Sequence, residues 1–224
     1  LHHRARVLRP RRRTLAAVLA LSLATPTAAR ATCRVVPGPE GEVGIWLVGA
    51  NAALPALGPR PVAALDAGLT ALSTRLGLGT LDTLVGGPAA LRPVAAGRAT
   101  LPLSVSGPAR GPRTALAALT LDARTAGARW LFLGATDAVA VWLDGRLLFR
   151  RAGLRGVRPD DDMLALPLTA GPHRLVIGVA ARGAPSLNAR ITGPDFLPDE
   201  ALTLRLDGVD DAACEALAPR TLTA

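Results

Sequence analysis

Lysine and tyrosine are missing from this 224-residue chain, and tryptophan and phenylalanine occur only three times each. Without lysine there is no Gly-rich phosphate loop of the kind a lysine completes. There are two cysteines, Cys33 and Cys214, and His173 is the one histidine beyond residue 3. One imidazole and two thiols so far apart cannot make a His/Cys metal site. A Ser-His-Asp triad would have to be built on His173, which sits in a turn feeding a strand, and no G-x-S-x-G elbow occurs. Aspartates are plentiful, and a glycosidase pair needs two carboxylates facing each other across about 5–10 Å. A hydrolase is therefore kept as a third reading, without named catalytic residues.

What the chain does have is arginine. The net charge is +9, but residues 1–31 hold seven arginines and no acid, leaving nineteen arginines against seventeen acids in the rest. A nucleic-acid surface needs its basic excess on the folded domain. Here the excess lies in a leader, and no nucleic-acid partner is expected.

That leader has the parts of a secretory signal: Arg4, Arg6, Arg9 and Arg11–Arg13, an apolar run Leu15–Ala24, and Ala29-Arg30-Ala31 as an A-x-A cleavage site. The run is shorter than the roughly 20 residues a spanning helix needs. Arg12-Arg13 also fits a twin-arginine signal, and Arg30 disfavours lipidation at Cys33. We expect an exported chain, periplasmic or extracellular, starting near Thr32, with no stable transmembrane anchor. In such a compartment Cys33 and Cys214 can form a disulfide, worth about 4–5 kcal/mol in the chain-entropy model; two unpaired thiols are the alternative.

Arg129–Val179 organises the rest. It reads as four strands joined by turn signals, with Asp144-Gly145 suited to a type I′ hairpin turn between AVAVWL and RLLFR. Val139, Val141 and Leu143 share one face and Ala138, Ala140 and Trp142 the other. Both faces are apolar, which places this hairpin inside the packing. Further strands are expected at 43–48, 80–85, 99–105, 114–122, 163–168, 174–179, 186–192 and 201–206. Leu65, Leu69, Leu72 and Leu76 recur at helical spacing over 61–76, with Pro61 in the first turn, and 210–217 suits a short helix capped by Asp210. The expectation is a mostly β protein, an antiparallel jelly-roll-like sandwich with one or two short helices. Its parts are a signal peptide (1–31), an N-terminal strand, helix and loop segment packing on the sandwich (32–113), the sandwich core (114–206) and a tail (207–224).

The order Gly134-Ala135-Thr136-Asp137, Val141-Trp142-Leu143-Asp144-Gly145, Arg158-Pro159-Asp160-Asp161-Asp162 and Leu168–Leu175 resembles the galactose-binding-like jelly roll, over about residues 114–195. The resemblance implies a carbohydrate-binding or accessory domain of a secreted bacterial protein and assigns His173 a structural place. Two candidate features remain. Asp160, Asp161 and Asp162 could offer oxygens to Ca²⁺, but without regular calcium-loop spacing a solvated turn offset by Arg155 and Arg158 is the simpler reading. Trp130 and Trp142 could stack sugars, but lie in apolar runs that point to the core. The function expected is non-catalytic: recognition of carbohydrate or an envelope component through loops at one end of the sandwich. The alternative is docking onto a partner protein as a module of a larger, helical-repeat type exported protein.

Overall fold

β-Branched and aliphatic residues at alternating positions build two antiparallel sheets. A computed structural model of the chain describes residues 32–35, 37–75, 91–96, 100–103 and 111–217. The expected leader and the expected strand at 80–85 lie outside these residues. Twelve strands are described: β1 (Thr32–Val35), β2 (Ile45–Ala53), β3 (Arg92–Ala95), β4 (Leu101–Pro102), β5 (Arg113–Ala123), β6 (Gly127–Ala135), β7 (Ala138–Leu143), β8 (Arg146–Arg151), β9 (Asp162–Leu168), β10 (Gly171–Ala181), β11 (Ser186–Thr192) and β12 (Leu202–Asp207). Two helices join them, α1 (Pro61–Arg75) and α2 (Asp211–Leu217). The Arg129–Val179 stretch thus holds five strands where its turns suggested four.

The larger sheet runs β1-β12-β5-β10-β7-β8, with β2 sharing the edge of β5 with β12 and β3 extending β2. The smaller sheet runs β4-β11-β6-β9. Segment Gly41–Val43 lies along β11, through Val43 N–H to Ala189 O (3.0 Å) and Ile191 N–H to Gly41 O (2.8 Å), before the chain enters β2 in the other sheet. One side of the sandwich is closed in this way.

The inner faces supply the core. In the small sheet, Leu131, Leu133, Leu164, Leu166, Leu187 and Ile191 are buried at every second position, as a half-covered sheet requires. The middle of the large sheet, β5, β10 and β7, is apolar on both faces, because α1 covers its outer one. Leu65, Leu69 and Leu72 are buried there, and two glycines set the distance. A Cβ on Gly178 would lie 2.8 Å from Leu72 and 2.9 Å from Trp142, and one on Gly68 would lie 3.2 Å from Thr114. Trp142 is accordingly buried beneath the helix. β7 is buried throughout, whereas β8 forms the sheet's edge and is half exposed. Only the first strand of that hairpin is interior.

α2 begins as its sequence suggests: Ala213 N–H donates to the Asp210 carboxylate at 2.6 Å, an N-cap that satisfies one orphan donor. The helix packs against β1, where Cys33 is fully buried. We propose that Cys33 and Cys214 bridge these two elements. Intact mass without reductant should fall two hydrogens (about 2 Da) short of the dithiol mass, and reduction should lower the unfolding free energy by about 4 kcal/mol. Two freely alkylated thiols in the unreduced protein would refute the bridge.

Candidate functional site

Half of the chain's few aromatic residues gather on the outer face of the small sheet. Trp130 and Phe132 stand two apart on β6 and so share that face. The Gly193–Leu197 turn after β11 brings Phe196 to them. Its ring lies nearly parallel to Trp130 (centroids 5.5 Å, 20°) and edge-on to Phe132 (6.0 Å, 63°). The Arg190 guanidinium, on neighbouring β11, sits 3.6 Å above the Phe132 ring. Phe132 is thereby nearly covered, while Phe196 is 50% exposed; Met163, opposite Phe132 on β9, and Leu197, next to Phe196 in the turn, are 51% and 61% exposed.

Two turns frame this face. On one side Asp160 accepts from Arg190 at 2.9 Å. It comes from the 152–161 loop, which crosses the sheet so closely at Gly134 that a Cβ there would lie 1.8 Å from the Arg158 carbonyl oxygen. On the other side the Phe196 turn closes on itself, Gly193 N–H to Leu197 O (2.7 Å), Phe196 N–H to Gly193 O (3.1 Å) and Leu197 N–H to the Asp195 carboxylate (3.1 Å). Phe196 adopts φ = 66°, a left-handed conformation that costs a bulky L-residue about 1–2 kcal/mol. An aromatic pair contributes about 0.5–1.5 kcal/mol beyond its burial. Strain and stacking at Phe196 nearly offset each other.

The sequence placed both Trp130 and Trp142 in the core. Trp142 is there; Trp130 is not. The apolar run around Trp130 points to the core, but its even positions face outward on a sheet that no described helix covers. Phe132, Phe196 and Arg190 were not foreseen. The i, i+2 spacing of Trp130 and Phe132 was the available signal, whereas Phe196 comes from a turn no periodicity announces.

Asp160, Asp161 and Asp162 diverge. Asp160 pairs with Arg190, Asp161 with Arg155 (2.5 Å) and Asp162 with Arg151 (2.8 Å). The Arg155 hydrogen bond holds the Asp161 carboxyl below the usual carboxylate range. Among the described residues no three acidic, His or Cys side chains converge on a metal position. An open apolar groove of about 450 Å³ beside the start of α1 contains one carboxylate, Asp66, which Arg150 holds at 2.7 Å.

His173 does meet an acid and a hydroxyl. Its Nδ1 lies 2.6 Å from Asp144, and its Nε2 lies 3.1 Å from Thr169 Oγ1, 3.1 Å from the Thr169 backbone nitrogen and 3.0 Å from the Thr169 carbonyl. Asp144 also accepts the Arg174 N–H at 2.7 Å. The ring therefore ties the β7–β8 turn to the β9–β10 turn, and its Nε2 is engaged by the backbone of the threonine it would have to activate. We read it as a latch. Burial pulls the imidazole pKa down, but the Asp144 carboxylate and the Thr169 backbone raise it by more. A group with a raised folded pKa contributes fully below its unfolded value of about 6.5, and the contribution fades as pH rises through the folded value. Unfolding titrations should show stability falling as pH climbs above about 6.5. In His173→Gln that slope should flatten, at a cost of about 1 kcal/mol at pH 6, given that Asp144 is half exposed. An unchanged slope in the variant would assign the pH dependence elsewhere.

No family model and no curated protein matches the chain. Among solved structures it is similar to the PA14 sugar-binding domain from an RTX adhesin, at 15% identity and TM-score 0.37, over 66% of this chain and 89% of that one. It is similar also to the PA14 domain of the MpAFP antifreeze protein (10%, TM-score 0.33, 42% of this chain and 52% of that one). A third is the β-glucuronidase of Faecalibacterium prausnitzii (13%, TM-score 0.34, 69% and 22%). The matched part spans about half of the antifreeze-protein domain and about a fifth of the glucuronidase. Likeness at this level transfers none of their activities to this chain. Among the described residues no helix is long and apolar enough to cross a membrane.

Proposed function

We propose that this chain is a non-catalytic binding domain of an exported protein, that its recognition surface is the outer face of the small sheet around Trp130, and that its ligand is carbohydrate. The observation that carries the reading is the aromatic cluster itself. A protein with so few aromatic residues keeps Trp130, Phe132 and Phe196 on a face that no described helix covers, although the core could have used them. A π face is electronegative and attracts the electropositive C–H face of a sugar ring, and the adjacent Arg190–Asp160 pair offers a donor and an acceptor to hydroxyls. The resemblance of residues 114–195 to galactose-binding-like jelly rolls supports the same ligand class, and the leader-like composition of residues 1–31 supports export. Recognition then uses a sheet face instead of the loops at one end.

Exposed Met163 and Leu197 favour a second reading, in which the same face docks on a protein, because aliphatic side chains contribute more to protein interfaces than to sugar sites. A glycan array separates the two. Retention of a defined class of glycans, reduced about tenfold or more in Trp130→Ala with an unchanged circular dichroism spectrum, is the expected result. A stably folded protein that retains no glycan would leave protein docking.

A further inference from the structure

We propose that the outward face of Trp130 is a ring-binding subsite that the chain fills with its own Phe196, and that the pyranose ring of a neutral glycan takes Phe196's place on binding. This rests on the function proposed above and specifies how that site is occupied. The parallel stack of Phe196 on Trp130 is the geometry a flat ring ligand would adopt there. The ring that makes it belongs to a residue held in the left-handed region, where relaxing the backbone favours departure. The hydrogen bonds described for the Gly193–Leu197 turn all close within it or to Thr192, so swinging Phe196 away from Trp130 breaks no described bond to β6 or β9. Half of Phe196 is already exposed and the incoming ring covers the indole again, so the exchange newly wets only the buried half of Phe196. Next to the slot stand Arg190, over Phe132, and Asp160, paired with it. A hydroxylated ring can use both as hydrogen-bonding groups. A plain aromatic ligand would stack equally well but make no use of them, which is why the geometry points to a sugar.

The test begins without ligand. Trp46 and Trp142 are buried, so Trp130 dominates quenching by acrylamide. Phe196→Ala should raise the quenching constant about twofold and shift emission to the red, because removal of the stacked ring exposes the indole. An unchanged quenching constant would overturn the idea that Phe196 covers Trp130. Binding follows, by calorimetry on the full chain with three β-1,4-linked hexasaccharides, of glucose, N-acetylglucosamine and galactose. Phe196→Ala should bind its preferred hexasaccharide about three- to tenfold more tightly than the native chain, Trp130→Ala at least tenfold more weakly, and the double variant like Trp130→Ala alone. If Phe196→Ala and Trp130→Ala both weaken binding, Phe196 is part of the platform and the displaceable ring is refuted while the site stands. If Trp130→Ala binds like the native chain, the site itself is wrong. Failure of native chain and Phe196→Ala alike to bind any of the three overturns the sugar assignment.

Discussion

Alanine at position 134 is expected to lower the unfolding free energy by about 3 kcal/mol, a fall of about 6–12 °C in Tm for a domain of this size. The cause is a backbone contact. Gly134 follows Phe132 on the outward side of β6, and an added Cβ would lie 1.8 Å from the Arg158 carbonyl oxygen, 2.6 Å from its carbon and 3.3 Å from the Pro159 nitrogen. No rotamer relieves an overlap with main-chain atoms, so the 152–161 loop has to lift. Asp160 lifts with it and leaves Arg190, removing an acceptor from the edge of the aromatic face. Glycan affinity should fall together with stability. Gly156→Ala, in the same loop and with open space around it, is the control and should stay within about 0.5 kcal/mol of the native chain. A Gly134→Ala protein as stable as that control would mean that the loop does not rest on the sheet.

Turn chemistry was the most legible part of the sequence. Asp144-Gly145 takes positive φ at both positions (50° and 79°), as the hairpin signal requires. β11 and the Asp210 cap fall where the residues place them. The same rules could not say which sheet a strand joins. β2 enters the large sheet beside β5, and Gly41–Val43 lies along β11 in the other. Composition marks residues 32–113 as a segment packing on the sandwich; within them β1, β2 and β3 hydrogen-bond into the large sheet and β4 into the small one. Both β6 and β7 present apolar residues on both faces. For β7 that meant burial, because α1 lies over its outer face. For β6 it meant an aromatic cluster on the outer face, covered only by the Phe196 turn and Arg190, because no described helix lies there. Periodicity records which side chains share a face, and the covering element is a long-range fact. The residues that carry the jelly-roll resemblance, Gly134, Asp137, Asp144 and His173, prove to be those that fix turns and loops to the sheets. They speak to fold, whereas Trp130, Phe132, Phe196 and Arg190 make up the face proposed above for binding.

Asp137 tests the other end of that scaffold. It lies in the β6–β7 turn, 3% exposed, with φ = 49°. Its carboxylate accepts the Arg155 N–H at 3.0 Å and the Arg182 N–H at 2.8 Å, with the Arg182 guanidinium at 3.1 Å. Its own N–H donates to the Arg155 carbonyl (2.9 Å), and its carbonyl accepts from Arg151 at 2.6 Å. One side chain thereby holds the β8–β9 and β10–β11 loops against its own turn. Asp137→Ala orphans two backbone donors at a buried site and puts alanine at positive φ, so it should cost about 3–5 kcal/mol in urea unfolding. Asp137→Asn tolerates the backbone and keeps one acceptor, but turns an amide group toward a donor; about 1–3 kcal/mol is expected. Arg182 is 53% exposed, so Arg182→Ala should cost no more than about 1 kcal/mol. If Arg182→Ala proved as damaging as Asp137→Ala, the ion pair and not the two backbone donors would be what Asp137 is for. The 152–161 loop would then owe its position to the contact at Gly134 and to its own arginine pairs.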